Sequence, residues 1–277
     1  MTTGLPIGVA LGTIDVSFGW WRDSAVRLDE AGYAGVWCWD HFTSRGRRPK
    51  PVLESWTTLA AVGVVTDRIT VGPLVANVMN RHPALMARMA ATLQDVTGGR
   101  LILGLGIGGH PDEHDAYGIP FPDVPERVAR VEEAVAVMRA LWTGEPVSRP
   151  SFFYPLREAI ALPPPRPPPP IIIGGQSPGG ARLAARVGDG WTTRPDLLER
   201  LLPIYEETLD AVDRARGPVL VAWEGGRSGD DVLAGSVWVD RPSEELEAWR
   251  ARGADGVIVQ ARTTRDVDRL VEAATRW

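Results

Sequence analysis

The chain is 277 residues long, 44% hydrophobic and 23% charged, with a formal net charge of -5. That hydrophobic content fills a sizeable core and excludes a disordered class, while the acidic balance argues against a general nucleic-acid or anionic-membrane binder. One cysteine, Cys38, excludes an intrachain disulfide framework and cysteine-rich metal sites.

Residues 6–11 (PIGVAL) predict a buried strand, followed by a helical pattern through 21–31. Residues 35–39 (GVWCW) predict a second strand and 53–66 a helix. The β-branched stretch 69–76 predicts a third strand, with 84–96 as its helix. A fourth strand at 101–105 precedes a long helix at 125–142, where Val128, Val131, Val135, Met138 and Trp142 recur at helical spacing. Gly144 sits where a glycine following the helix belongs. Residues 145–162 then break the rhythm as an irregular or hairpin insertion, ending in PPPRPPPP at 163–170. In polyproline II geometry those eight residues would span roughly 25 Å, as a rigid connector or a dock for a proline-reading domain.

The alternation resumes with a strand at 171–173, a helix at 181–187, a strand at 190–193 and a helix at 196–216. Residues 219–223 with 232–239 predict the seventh strand, alone or as a hairpin, and 243–252 a helix. Residues 256–260 (GVIVQ) and 265–275 supply the last strand and helix. Eight strand–helix units with unalternated apolar strands predict an α/β fold of the parallel (β/α)8 TIM-barrel type, one domain over 1–277; a doubly wound open sheet is the other topology compatible with the pattern. No run approaches the 18 apolar residues of a membrane span and the N-terminus lacks a basic leader region, so a cytoplasmic location is expected.

In such a barrel chemistry gathers at the C-terminal ends of the strands. Strand two ends on Asp40-His41, strand three near Asn77, and strand four in GLGIGGH from Gly104 to His110. Strand five ends in Gly174-Gly175-Gln176-Ser177 and strand six in Thr192-Thr193. Core packing alone does not collect small and polar residues on one rim. His41 can donate or accept a proton near neutral pH. Asp40 can fix its tautomer, bond a heterocyclic ligand, or close the strand as one half of an ion pair. The glycine run lacks the spacing of a dinucleotide fingerprint and has no acidic residue about 20 positions on. It is a tight turn, or it admits close approach of backbone to a flat ring. Backbone N–H groups at the helix following Gly174, Gly175, Gln176 and Ser177 suit a phosphate. His110-Pro111-Asp112-Glu113-His114 departs from His-Glu-x-x-His, and Pro111 fits a helix start, so no metal is expected. Arg45, Arg47, Arg48 and Lys50 form a local basic cluster, a solvated loop or an attractor for an acidic ligand tail.

An ordered set of motifs spans most of the chain. It runs from Gly35–Phe42 (GVWCWDHF) through Arg68-Ile69-Thr70-Val71-Gly72, Val75, Asn77, Arg81-His82-Pro83 and Thr92-Leu93-Gln94-Asp95. It continues with Gly98-Gly99-Arg100, Leu103-Gly104-Leu105-Gly106, Glu113, Tyr117-Gly118, Ile173-Gly174-Gly175, Gly188-Asp189-Gly190-Trp191 and Gly253-Ala254-Asp255-Gly256-Val257. This set resembles the bacterial luciferase-like family of flavin- and deazaflavin-dependent oxidoreductases, and the Asp40-His41 pair resembles its branch using the deazaflavin coenzyme F420.

The resemblance implies a barrel with the cofactor ring at the rim, His41 beside the hydride-carrying face and Asp40 bonded to the ring. It maps a non-prolyl cis peptide onto Leu74-Val75, behind the ring, with Asn77 at the end of the same strand on the cofactor side. Gly106–Gly109, hence Gly106 and Gly108, with Asp112 would meet the pyrimidine edge or ribityl chain, and Gly174, Gly175, Gln176 and Ser177 the phosphate. The activity implied is hydride transfer between F420 and a small organic substrate, with His41 as proton donor or acceptor. An FMN-dependent monooxygenase using molecular oxygen, or a non-catalytic flavin- or deazaflavin-binding protein, are the alternatives. A homodimer is also implied. The chain departs from the sugar-phosphate dehydrogenases of that branch, which carry a catalytic Glu where Gly109 stands here, and it is thin after strand seven.

Overall fold

The structure, a computed structural model, describes residues 5–44, 48–222 and 233–276. The first half runs β1 (Leu5–Leu11), α1 (Phe18–Glu30), β2 (Tyr33–Cys38), α2 (Ser55–Gly63), β3 (Thr70–Pro73), β4 (Ala76–Asn77), α3 (Pro83–Val96) and β5 (Leu103–Gly106). Then come α4 (Pro111–Ala116), α5 (Val124–Leu141), β6 (Val147–Arg149) and β7 (Leu156–Ala159). The second half holds β8 (Ile171–Gly174), α6 (Pro178–Val187), β9 (Gly190–Thr193), α7 (Leu198–Ala211) and β10 (Val219–Ala222). It ends with α8 (Val237–Asp240), α9 (Pro242–Ala251), β11 (Gly256–Ala261) and α10 (Thr264–Ala274).

All neighbours in the main sheet pair in parallel, in the order β3-β2-β1-β11-β10-β9-β8-β5-β4. The two outer members, β3 and β4, are halves of the expected third strand, separated by Leu74-Val75, whose bond is cis. β3 pairs with β2, β4 pairs with β5 through Ala76↔Leu105 and Asn77↔Gly106, and Val71 bridges Leu101. The ring therefore closes at this strand, which makes the fold a TIM barrel and removes the open sheet.

The core has two compartments. Between strands and helices lies a large apolar layer that includes the fully buried Trp21 and Trp191. Inside the barrel a smaller cluster joins Ala10, Trp37 and Ile258, with Leu74, Ile102, Leu220 and Ala222 against it. Trp37 fills this interior because its neighbours have no side chains. A Cβ on Gly8 would stand 2.6 Å from Trp37 Nε1, one on Gly35 2.9 Å from it, and one on Gly72 3.0 Å from Cζ3. Three glycines on adjacent strands thus accommodate one indole, whose burial contributes about 5 kcal/mol at 25 cal/mol per Å².

Three expectations change. The described part of 232–239 holds the short helix α8, not a strand: Ser236 Oγ accepts the Trp238 N–H, and burial of Trp238 and Val239 overrides their β-branched and aromatic composition. Trp223 and Val232 lie outside the described residues. The helix expected over 196–216 is a 3-10 turn at Pro195–Leu197 followed by α7, which stops at Ala211 before Asp213 adopts a φ of 52°. Residues 163–170 are not one straight polyproline II rod, since Leu162-Pro163 and Arg166-Pro167 are cis. They form a bent strap held to α3, where Arg88 Nη1 donates to Leu162 O at 2.8 Å and Gln94 Nε2 to Pro167 O at 2.9 Å. The preceding insertion is the antiparallel hairpin β6–β7. Among the described residues no helix is long and apolar enough to cross a membrane.

Candidate active site

A cavity of about 580 Å³ opens at the C-terminal ends of the strands. Asp40, His41, Leu74, Val75, Asn77, Gly106, Gly108, Gly174, Gly175, Gln176 and Ser177 all line it. Asp112 does not. It is exposed on the first turn of α4, and the next residue, Glu113, is the one that turns into the cavity. Successive helical residues point about 100° apart, so Pro111 at the helix start sets this phase. Of the basic cluster, Arg45 and Arg47 lie outside the described residues. Lys50 Nζ forms a solvent-exposed ion pair with Asp15 at 2.7 Å.

Asp40 and His41 follow β2 directly but have separate partners. Asp40 is buried, and its Oδ1 accepts from Ser55 Oγ at 2.9 Å. Its Oδ2 accepts from the Asn77 N–H at 3.1 Å, from Asn80 Nδ2 at 3.3 Å and from Arg81 Nη1 at 2.6 Å. The other arm of Arg81 reaches Glu54 Oε1 at 2.7 Å. Glu54 caps α2; burial raises its carboxyl, but the Thr57 and Trp56 donors and Arg81 outweigh that and leave it below the usual value. Neither Asp40 oxygen takes a hydrogen bond from the His41 ring among the described residues. It ties the end of β2 to α2, β4 and the turn before α3.

Glu113 is the partner of His41. Its Oε2 lies 3.1 Å from His41 Nδ1, and its Oε1 accepts the N–H groups of Phe42 and, at 2.7 Å, Thr43. The carboxyl is 5% exposed. Burial raises it, yet His41 and the two backbone donors prevail and hold it below the usual carboxylate value. The His110 ring meets His41 edge-on, with centroids 4.5 Å apart.

The opposite features of the cavity are built from glycines and Val75. A Cβ on Gly106 would stand 2.5 Å from Val75 Cγ2, and one on Gly174 3.0 Å from Val75 Cγ1. Gly108 has a φ of +75°, and a Cβ there would meet the Asn77 carboxamide at 2.7 Å. Asn77 is itself pinned: Nδ2 donates to Asn80 Oδ1 at 3.0 Å and to His114 Nε2 at 2.7 Å, while Oδ1 accepts the Met79 N–H. Burial keeps His114 below the usual imidazole value, in keeping with this acceptor role. Arg127 Nη1 holds the glycine turn by donating to the carbonyls of Ile107 and Gly108 at 3.0 and 2.8 Å. Nothing lies within 4 Å of a Cβ placed on Gly109, so that side of the turn is open.

Ser177 caps α6, accepting the Gly180 N–H at 3.1 Å. Gly175 and Gly180 approach so closely that a Cβ on Gly175 would lie 2.5 Å from the Gly180 carbonyl carbon. Gly179, Gly180 and Arg194 line the same cavity, and the Arg194 guanidinium donates to both Asp196 oxygens at 3.0 Å. Thr192 and Thr193 line it as well, and their buried hydroxyls have no hydrogen-bond partner among the described residues. Glu113 and Arg194 line the cavity but are not among the site residues expected from the sequence. The helical phase after Pro111 was the available signal for Glu113; Arg194 had only its place at the end of β9. Among the described residues no cluster of three or more His, Cys, Asp or Glu side chains is placed to hold a metal ion.

The fold matches solved structures over nearly its whole length. An F420-dependent secondary alcohol dehydrogenase, solved with an F420-acetone adduct, superposes with a TM-score of 0.84 at 20% identity, covering 99% of this chain and 98% of that one. The coenzyme F420 dependent tetrahydromethanopterin reductase from Methanopyrus kandleri gives 0.78 at 18% identity, covering 98% and 97%. In sequence, F420-dependent glucose-6-phosphate dehydrogenases from Intrasporangium calvum and Microbacterium testaceum are 36% and 33% identical over 207 residues, 71% of this chain in each case. The aligned region is 61% and 60% of those proteins, so the chain spans about three fifths of the length of the curated relatives it matches. The sequence pattern of the family described as luciferase-like monooxygenase matches residues 7–270, and the chain, a closed barrel with a cavity at its rim, belongs to that family.

Proposed function

We propose that the chain is an F420-dependent oxidoreductase that moves a hydride between the deazaflavin ring and a small organic substrate, with His41 as proton donor and acceptor. The observation that carries this reading is a proton-active imidazole on a glycine-walled cavity that also holds the N-terminus of α6 and Arg194. The names of the sequence relatives support F420 as the cofactor.

The residues fit such a cofactor. Gly106 and Gly174 make room for the Val75 side chain and Gly108 for the Asn77 carboxamide, so the cavity wall here is backbone and Val75, a surface that suits a flat ring. The Thr192 and Thr193 hydroxyls offer hydrogen bonds that nothing among the described residues takes up. The Ser177 hydroxyl, the Gly179 N–H at the start of α6 and the Arg194 guanidinium, which also pairs with Asp196 at 3.0 Å, suit a phosphate. Asp40, through Asn77 and Arg81, braces the strand end rather than serving chiefly as a ligand.

When bound, F420 supplies a two-electron carrier that takes up or releases hydride. The chain handles the proton that accompanies it. In oxidation of an alcohol, neutral His41 accepts the hydroxyl proton as the carbonyl forms; in reduction, protonated His41 delivers it to the carbonyl oxygen. The buried Ala10 and Ile258 and the partly buried Leu74 give this part of the cavity an apolar lining.

The test is turnover of reduced F420 against a panel of carbonyl and enone acceptors, with wild type beside His41→Ala. The reading expects turnover by wild type and its loss in the variant. Absence of turnover despite F420 binding would favour a non-catalytic binding protein.

A further inference from the structure

We infer that Glu113 is the positioning residue that sets the tautomer of His41, a role that rests on the function proposed for His41. Both Glu113 oxygens are committed: Oε2 to His41 Nδ1 at 3.1 Å, Oε1 to the N–H groups of Phe42 and Thr43. An ionised carboxylate can only accept hydrogen bonds. The proton between these groups therefore belongs to His41 Nδ1, and Nε2 is left as the working nitrogen. Nε2 makes no hydrogen bond among the described residues. Neutral His41 is then a base at Nε2, and charged His41 an acid at the same atom.

Asp40, adjacent in sequence, does not perform this task. Its oxygens accept from Ser55, Asn77, Asn80 and Arg81. The His110 ring, edge-on at 4.5 Å, packs against the imidazole that Glu113 holds. Because Oε1 holds the two residues that follow His41, the carboxylate fixes both the ring nitrogen and the backbone carrying it. Position 109 has no carboxylate, yet the cavity still receives one, from the first turn of α4.

A purely structural clamp would need only an acceptor for the two backbone N–H groups, and Glu113→Gln separates the roles. The glutamine oxygen can accept from Phe42 and Thr43, while its NH2 faces Nδ1 as a donor and drives the proton to Nε2. The experiment is nitrogen-15 NMR of the imidazoles in the cofactor-free chain, at alkaline pH where imidazole is neutral. There are four histidines, and His41→Ala identifies the signal. The expected result is the Nδ1–H tautomer in wild type and Nε2–H in Glu113→Gln.

With F420 and a turned-over acceptor, Glu113→Gln should lower kcat about 10²-fold and leave the F420 Kd within about twofold. Wild-type His41 in the Nε2–H form would overturn the inference without any variant needing to fold. An unchanged tautomer in a folded Glu113→Gln would do the same. Failure of wild type to bind F420 would instead remove the functional reading, while the NMR result on Glu113 would stand by itself.

Discussion

Replacing Asp40 by alanine asks whether this carboxylate is chiefly a brace beneath the site. Its side chain is 2% exposed and that of its partner Arg81 11%. The substitution deletes the 2.6 Å ion pair and leaves the Ser55 hydroxyl and the Asn77 N–H without their acceptor. Breaking a buried pair by removing one partner costs about 3–5 kcal/mol. Arg81 keeps Glu54 at 2.7 Å, so it does not become an isolated charge, and the lower end, about 3 kcal/mol, applies. For a chain of this size each kcal/mol lowers Tm by about 2–4 °C, giving a fall of about 6–12 °C. Asp40→Asn, which keeps one acceptor oxygen, should lose roughly a third to a half as much. The assay is thermal unfolding followed by tryptophan fluorescence, with the F420 Kd measured on the folded variants at low temperature. A Tm for Asp40→Ala within about 1 °C of wild type, with F420 binding abolished, would refute the reasoning and make Asp40 a ligand first.

Three further outcomes follow. His41→Ala should lose about 10² or more in turnover while its F420 Kd stays within about threefold; equal loss of both would make His41 a binding group. Gly108→Ala must adopt a positive φ and displace the Asn77 carboxamide, so titration should show F420 affinity weakened by about tenfold, and unchanged affinity would contradict the close-approach argument. The folded-state pKa of Glu113 is depressed, so its stabilisation is complete above the unfolded value of about 4.3 and is lost as pH falls through the lower folded value. Below about pH 4.3, therefore, acid should cost wild type stability that Glu113→Gln does not lose, and parallel urea titrations against pH check this.

The barrel was legible because its strands are apolar runs separated by amphipathic helices, a pattern that burial on both faces imposes. Most of the rim could be read from where those strands end. The division of the third strand at Leu74-Val75 was legible only through family resemblance, since nothing in the composition of 69–76 marks it. The short helix α8 was misread because Val237, Trp238 and Val239 look like strand residues until the contacts that bury them are known. Asp112 and Glu113 illustrate a finer limit: neighbouring acids on one helical turn face different ways, and the phase had to be taken from the helix start at Pro111. The partners of Asp40 come from α2 and from the turn before α3, separations that no local motif records.

The most direct measurement is a side-by-side equilibrium titration of the purified chain with F420 and with FMN, followed by quenching of its 11 tryptophans. Saturable F420 quenching by tens of micromolar and weaker binding of FMN are expected. Tighter FMN binding together with oxygen uptake driven by NAD(P)H or a reductase would contradict F420 dependence and make the chain a flavin monooxygenase, and no response to either cofactor would remove the proposed function altogether.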